Sequence, residues 1–455
     1  MAVFSVIQKS QLEGAHRLDA EYYQREYFID FTKGNWVPIG EVLELCQYGL
    51  SQAMNDEKKG YPIFKMDNID YGFLFNDDIR FADIPKSIFN QFAIKKDDVF
   101  FNRVNSEEFV GRTGIYKLDS LKSVFASYLI RLRVKSGGEI LADYLNIFLN
   151  SSYGLRQIRK YTRRAVNQAN VNAEELKLMR ISVLPITTQE KIRDLSNWSW
   201  HEFEKSKFIY SQAETLLLEE LGLKDFENEE KLWSVVNFSE IKSANRMDAE
   251  YFQPKYEQML NQIRKKSDVK KLSEIASVKR GSLINPRFYD DENGTPYIRG
   301  GDFSSGRLER SKLVYIKNFQ PKNETRIKTG DIIFASIGSV GTLTNISDEF
   351  NDAFISNNTA MFSIKDRNFL ISEYLTLVLQ SIVGKLQFEK EMSQTAQPKI
   401  SDTQVKSFYI PILPKPVQQK IADLVRQSHE ARKKAKELLV EAKHKVEELI
   451  EKGNK

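Results

Sequence analysis

The sequence predicts a mixed α/β (α+β) chain: two tandem domains separated by two long helices that pair as an antiparallel coiled coil, with internal pseudo-twofold symmetry. Three observations predict it. First, Phe4 to Tyr27, FSVIQKSQLEGAHRLDAEYYQREY, lies without a gap over Trp233 to Tyr256, WSVVNFSEIKSANRMDAEYFQPKY, 229 positions on. Second, the same offset returns downstream, where Pro185 pairs with Pro414, Gln189 with Gln418, Lys191 with Lys420, Ile192 with Ile421 and Ala213 with Ala442. Third, each copy runs through short apolar strands broken by turn residues before it reaches a long polar helix. A shared offset at both ends with loosened centres describes one scaffold carrying two different readers.

The elements follow in order. Each copy opens on R-[LM]-D-A-E-Y-[YF], followed in the second by a helical stretch at Tyr256 to Lys266. In the first copy strands are expected at Tyr61 to Met66 and Asp98 to Asn102, with a turn at Asp70-Tyr71-Gly72. In the second they are expected at Pro296 to Arg299 and Gly330 to Ala335, with the Gly300-Gly301 pair between them. Tyr128 to Val134, YLIRLRV, alternates as a half-buried strand does. A helix is expected at Ala142 to Tyr161 and again at Ile371 to Glu391, each followed by a strand ending in proline, at Ile181 to Pro185 and Tyr409 to Pro414.

The closing helices are expected at Thr188 to Leu221 and Val417 to Lys452. Ile192, Leu195, Ser199, Phe203, Ser206, Tyr210, Ala213, Leu217 and Glu220 fall at three- and four-residue steps, as do Ile421, Leu424, Ser428, Arg432, Ala435, Leu439, Ala442, Val446 and Leu449. That is heptad spacing with small residues on the seam. The competing reading is two amphipathic helices, each packed on its own domain. Gly222 stops the first helix, and Leu223 to Lys231 reads as a linker.

Composition narrows the function. With 455 residues, 41% of them hydrophobic, the chain can build two or three cores. Lys+Arg 67 against Asp+Glu 62 leaves a net charge of +5, too weak to identify a nucleic-acid partner by its total, so its distribution matters more. One cysteine, Cys46, and the scattered His16, His201, His429 and His444 give neither a disulfide framework nor zinc-ligand spacing. The N-terminal segment is too short in apolar residues for a signal sequence, and no run reaches membrane-span length. A soluble protein of the reducing cytoplasm is expected.

Catalytic motifs are missing: no GxxxxGK, HExxH or GxSxG, and no Asn-Pro-Pro-aromatic segment to hold a flipped adenine. The acid pairs Asp77-Asp78, Asp97-Asp98 and Asp290-Asp291 read as solvated turn acids. Ile337 to Thr342, IGSVGT, lacks the lysine and helix of a nucleotide loop and reads as a tight turn that lets backbone approach a ligand. From Tyr144 through Asn172 no acid occurs, while Arg156, Arg159, Lys160, Arg163 and Arg164 recur at helical spacing. That stripe suits phosphates, and Asn167, Gln168 and Asn170 after it suit base edges. In the second copy the basic clusters lie earlier, at Lys270-Lys271, Lys279-Arg280, Arg287 and Arg299.

Several strings together resemble the specificity subunits of type I restriction-modification systems. They are the doubled opening, DDVFFNRVNSEEFVGRTGIY at Asp97 to Tyr116, GDIIFASIGSVGTL at Gly330 to Leu343, TAQPKIS at Thr395 to Ser401, and the proline-then-QxKI helix starts. The resemblance spans essentially the whole chain and implies target-recognition domains at 1–186 and 223–415, a central conserved helix at 187–222 and a C-terminal one at 416–455. It implies a DNA-reading subunit without its own active site, which docks two methyltransferase subunits and, through them, ATP-dependent restriction subunits. No cofactor is expected on this chain; S-adenosylmethionine, ATP and magnesium belong to the partners. Two unlike domains imply a split, asymmetric target. About thirty-two residues from Gln189 to Glu220, at roughly 1.5 Å each, span about 48 Å, so half-site centres would lie about 12 to 16 base pairs apart. One departure stands out: the first copy has NQANVN at Asn167 to Asn172 where the second has AQPKIS.

For single residues, Arg103, Asn105 and Arg112 flank the loop expected to read DNA in the first domain. Lys279, Arg280, Arg287, Arg299, Ser336, Ser339, Gln397 and Lys399 are the candidates in the second, since arginine is the commonest reader of guanine. Trp198 and Trp200 are candidate anchors for the methyltransferase, because aromatics dominate interface energetics; the competing reading has them cap this chain's own core. Two other functions stay open. One is a DNA-binding adaptor of another phage-defence system; the other is a DNA-modifying enzyme with an unfamiliar active site.

Overall fold

The computed structural model describes residues 6–10, 12, 17–119, 121–165, 168–227, 233, 235–290, 293–303, 308, 313–318, 326–393 and 395–453. The chain divides into two compact units, Met1–Lys205 with Ala431–Lys455, and Ser206–Glu430. Both are mixed α and β, as the sequence predicts.

In the first unit a six-stranded sheet runs Leu43–Tyr48, Leu129–Val134, Val99–Asn102, Thr113–Ile115, Phe73–Leu74, Ile69–Asp70. The last two strands form a hairpin whose two-residue turn, Tyr71-Gly72, has positive φ at both positions (45° and 73°), the twist such short hairpins demand. The expected half-buried strand at Leu129–Val134 differs: Leu129, Ile130 and Leu132 are buried, and so is Arg131 between them. Arg131 is tolerated there because it donates to the Ala93 and Gln91 carbonyls and to Gln47, and lies 4.9 Å from the Phe125 ring. Asp98, expected as a solvated turn acid, is likewise buried. It takes both forks of Arg133 at 2.6 and 2.7 Å and caps Lys95 N at 2.8 Å. Asp97 does occupy a left-handed turn, with φ 65°. Asp291 lies outside the described residues.

The second unit repeats the plan. Its sheet runs Ala276–Arg280, Thr359–Ile364, Ile332–Ala335, Leu343–Asn345, in the order of the first four strands above. A second four-stranded sheet is Tyr289–Asp290, Val314–Ile316, Thr295–Ile298, Phe354–Ile355.

Each helix expected to be continuous is a pair, Ala142–Leu149 with Ser152–Tyr161, and Ser372–Gln380 with Ile382–Glu391. The break is built by a serine and a glycine. The Ser151 hydroxyl donates to the Phe148 carbonyl at 2.6 Å and accepts from Gly154 N, and Ser381 does the same work in the other unit, on the Val378 carbonyl and Val383 N. A Cβ on Gly154 would stand 2.3 Å from the Phe148 carbonyl oxygen, and one on Gly384 2.1 Å from that of Leu379, so only glycine permits the fold-back.

The long helices are Ile186–Glu220 and Lys415–Gly453, starting two residues earlier than expected. Inside the first unit they run antiparallel: the Ser199 hydroxyl donates to the Ala435 carbonyl at 2.8 Å, and Lys434 meets Glu202 at 2.6 Å. Ile192, Leu195 and Phe203 share a core with Ala435, Leu439, Ala442, Val446 and Ile450. Inside the second unit the Ser206 and Ser428 hydroxyls lie 3.0 Å apart, and Ala213 and Leu217 pack with Ile421, Ala422 and Val425. Small seam residues let the helices approach closely. The paired reading therefore holds and the competing one, two separate helices, does not: within each unit the helix segments pack on each other as well as on the core. The QxKI signature also gains a reason. Buried Gln189 accepts from Leu141 N at 2.9 Å and donates to the Glu139 and Leu184 carbonyls, and Gln418 does the same with Ile371 N, Phe369 and Leu413.

Candidate nucleic-acid interface

In the first unit, chain leaving the sheet at Asn102 forms the short strand Val104–Asn105, which pairs with Gln168–Asn170; that strand in turn pairs with Arg163–Ala165. A three-stranded ribbon thus brings Asn105 beside Arg163, Arg164, Gln168 and Asn170, although it lies far from them in sequence. Asn167 lies outside the described residues. Gln168 is exposed; Asn170 is half-buried, with an Oδ1 that has no hydrogen-bond partner. Asn105 is steadied by its own loop, its Oδ1 accepting from Ser106 N at 2.8 Å. Beside the ribbon, the turn Phe109 to Arg112 seats Gly111 against Ile158 of the helix Ser152–Tyr161 and lays the exposed Arg112 guanidinium 3.9 Å from the Phe109 ring.

The single helical stripe of five cations is corrected. The helix ends at Tyr161, because Thr162 turns extended while its hydroxyl bonds back to the Ile158 carbonyl. Arg163 and Arg164 therefore stand on successive strand positions and point to opposite faces. Nor is the stretch free of acids in space: Glu175 meets Arg163 at 2.8 Å and Glu107 meets Arg164 at 2.6 Å. Lys160 turns inward over the Tyr22 ring at 4.7 Å, and burial lowers its pKa. Arg156 and Arg159 remain exposed, and no carboxylate pairs with either among the described residues. Arg103 is half-buried, donating to the Ser127 carbonyl at 2.8 Å with Tyr48 beneath it.

In the second unit the loop after Ile332–Ala335 meets the AQPKIS segment: Ile337 bridges Lys399, and Gly338 N donates to the Pro398 carbonyl at 2.9 Å. Ser339, Gln397 and Lys399 are exposed on this joint rim. Ser336 is corrected: it is fully buried, donating to the Asn358 carbonyl at 3.0 Å and accepting from Arg280 at 2.9 Å, so it cannot reach a ligand. Arg280 is corrected with it, since its guanidinium is spent on Asp402, Ser336 and the Ile400 carbonyl and holds the rim together. Arg299 is tied to Asp302 at 3.0 Å, and its pKa rises through that hydrogen bond. Lys279 and Arg287 are exposed, the latter over the Phe288 ring at 4.6 Å.

Trp200 packs on Phe75 and Phe73, with ring centroids 5.5 and 5.3 Å away, so it anchors its own helix to the first unit's core and is removed from the exposed anchors. Trp198 is 58% exposed. Among the described residues there is no cluster of His, Cys, Asp and Glu fit to hold a metal, and no helix long and apolar enough to cross a membrane.

Residues 264–441 match the family described as Type I restriction modification DNA specificity domain. A Methanocaldococcus jannaschii protein named as the specificity subunit of the type I restriction enzyme MjaX is 27% identical over 185 residues, 38% of this chain and 42% of that protein. The EcoKI type I restriction enzyme specificity subunit of Escherichia coli K12 is 27% identical over 153 residues, 33% of this chain and 32% of that protein. The chain thus aligns with less than half the length of either. Of solved structures, the type I restriction-modification S subunit from M. genitalium has 14% identity, covers 94% of this chain and 98% of its own, and gives a TM-score of 0.42. The HsdS subunit from Thermoanaerobacter tengcongensis has 15% identity, with 92% and 96% covered and a TM-score of 0.30. Residues 264–441 of the chain thus match a type I restriction modification DNA specificity domain, and parts of the chain are similar to two specificity subunits of type I restriction enzymes.

Proposed function

We propose that this chain is a non-catalytic, sequence-specific reader of double-stranded DNA in the cytoplasm. It takes one half-site of an asymmetric split target in each unit and docks two methyltransferase subunits, through which restriction subunits join. S-adenosylmethionine, ATP and magnesium are then the partners' cofactors. The observation that carries the reading is the doubled construction of the rim. In each unit, segments distant in sequence converge on an edge rich in amides, hydroxyls and cations: half-buried Asn105 with exposed Gln168 and Arg112 in the first, exposed Ser339, Gln397 and Lys399 in the second. Amides and arginines suit base edges, while Arg156 and Arg159 suit phosphates. The rims share a plan and differ in side chains, which supports two unlike half-sites.

Methylome sequencing of cells expressing the chain with the methyltransferase encoded beside it tests this. A bipartite methylated motif with two unrelated halves is the expected result. Methylation without a split motif would refute the two-reader arrangement, and methyl transfer or DNA cleavage by the purified chain alone would refute its non-catalytic role.

A further inference from the structure

The most faithfully repeated string of the chain, Arg-x-Asp-Ala-Glu-Tyr, has so far no task. In the first unit Asp19 holds the Arg17 guanidinium by both ends, at 2.7 Å to Nε and 2.5 Å to Nη2. The remaining nitrogen, Nη1, donates to the Tyr161 carbonyl and to Glu175, each at 3.2 Å. Tyr161 is the last residue of the helix carrying Arg156 and Arg159, and the ribbon strand Arg163–Ala165 begins two residues later. Glu175 is also the carboxylate that holds Arg163. Asp19, Arg17, Glu175 and Arg163 are therefore one continuous polar chain from the opening motif to the ribbon.

The second unit repeats this 229 positions on. Asp248 holds Arg246 by both ends, and Nη1 donates to the Lys390 and Glu391 carbonyls at 3.2 and 3.3 Å. These carbonyls end the helix Ile382–Glu391, from which the chain departs toward the AQPKIS rim. Arg17 lies 4.9 Å from the Tyr22 ring and Arg246 4.5 Å from that of Tyr251, the tyrosines of the same motif. The last carbonyls of a helix lack intrahelical donors and form its negative end, so a fixed guanidinium satisfies both needs. Asp19 and Asp248 pre-orient the fork. The Arg17 side chain is only 9% exposed, with its nitrogens occupied inside the protein.

We infer that Arg17 and Arg246 are positioning residues for DNA reading, which pin the C-terminal ends of the helices Ser152–Tyr161 and Ile382–Glu391 and set where each reading edge begins without touching DNA themselves. The inference rests on the proposed DNA reading. It accounts for the repetition: the rims can diverge because the mount beneath them does not. Reading by hydrogen bonds needs edges held to within about 0.5 Å, which a frayed helix end does not supply.

The test uses the full chain assembled with its methyltransferase. The probes are a duplex bearing the methylome-defined target and duplexes with one base changed in either half. Arg17→Gln is expected to lose about tenfold discrimination at the half-site of the first unit, leaving the other half-site and the salt dependence of binding unchanged; Arg246→Gln does the reverse. A fall of about 0.9 in the slope of log affinity against log salt would mean a direct phosphate contact and overturn the inference. So would full discrimination in the variants, or equal loss at both half-sites with a lowered melting temperature. Should Arg17→Gln fail to fold, Arg17→Lys, which keeps the charge but not the fork, carries the same comparison. If the wild-type assembly discriminates neither half, the DNA reading itself falls, a result distinct from normal discrimination in the variants.

Discussion

Replacing Arg156 and Arg159 together by alanine isolates the phosphate term of the first unit. Both are exposed on the helix Ser152–Tyr161 with no carboxylate partner among the described residues, whereas Arg163 and Arg164, their neighbours in sequence, are each held by a glutamate. An unpaired cation on a phosphate releases a counterion from DNA, and each such contact adds about 0.9 to the salt slope. Two contacts give about 1.8, so over a fourfold rise in salt the wild type loses roughly twelvefold more affinity than the double variant. Arg163→Ala changes the slope by much less, because its charge is already balanced by Glu175. Fluorescence-anisotropy titrations of the assembled complex on the target duplex, from 50 to 200 mM salt, measure both. Equal slopes for wild type and double variant would refute the placement of this helix on the DNA backbone.

Three further outcomes follow from the packing. Asp98→Asn removes the buried partner of Arg133 and Arg131 and should cost about 3 kcal/mol in urea unfolding; a loss below about 1 kcal/mol would show that water already screens the cluster. Gly154→Ala and Gly384→Ala each force a methyl against a carbonyl oxygen and should lower the melting temperature by overpacking worth about 1 to 3 kcal/mol. Either variant melting with the wild type would contradict the fold-back at the helix pairs. Burial pushes the Cys46 thiol up to about 11 from its usual 9.0, so the folded protein should react slowly with a thiol reagent at pH 8 and quickly once unfolded. The sign is fixed: a raised thiol pKa favours the folded state fully below pH 9 and less as pH climbs toward 11, so stability should decline over that window. Rapid labelling of the native protein would place Cys46 at the surface.

The duplication, the alternation of strands and helices and the two long helices were all legible in the sequence, because they are properties of local pattern. The offset of 229 aligns Gln189 with Gln418 and Arg17 with Arg246, and the structure gives each pair an acceptor at the same offset: the Leu184 and Leu413 carbonyls for the glutamines, the Tyr161 and Lys390 carbonyls for the arginines. Asn105 and Ser339 are legible as polar residues at expected loops, Gln168 as an amide after the basic stretch, and Gln397 through the TAQPKIS string.

Their convergence was not legible. The acid-free stretch from Tyr144 to Asn172 reads as one cationic face only if it is one helix; Thr162 ends that helix, and Glu107 and Glu175 arrive from other parts of the chain. Burial was equally hidden at Ser336, Asp98 and Trp200, since a polar or aromatic side chain looks the same in sequence whether it faces solvent or a partner. By itself the sequence determined the repeat, the secondary-structure plan and the seam of small residues, because periodicity and turn chemistry act over a few positions. Only the tertiary structure decided which cations stay free to meet a phosphate and which are neutralised, because charge pairing depends on distances in space between residues tens of positions apart.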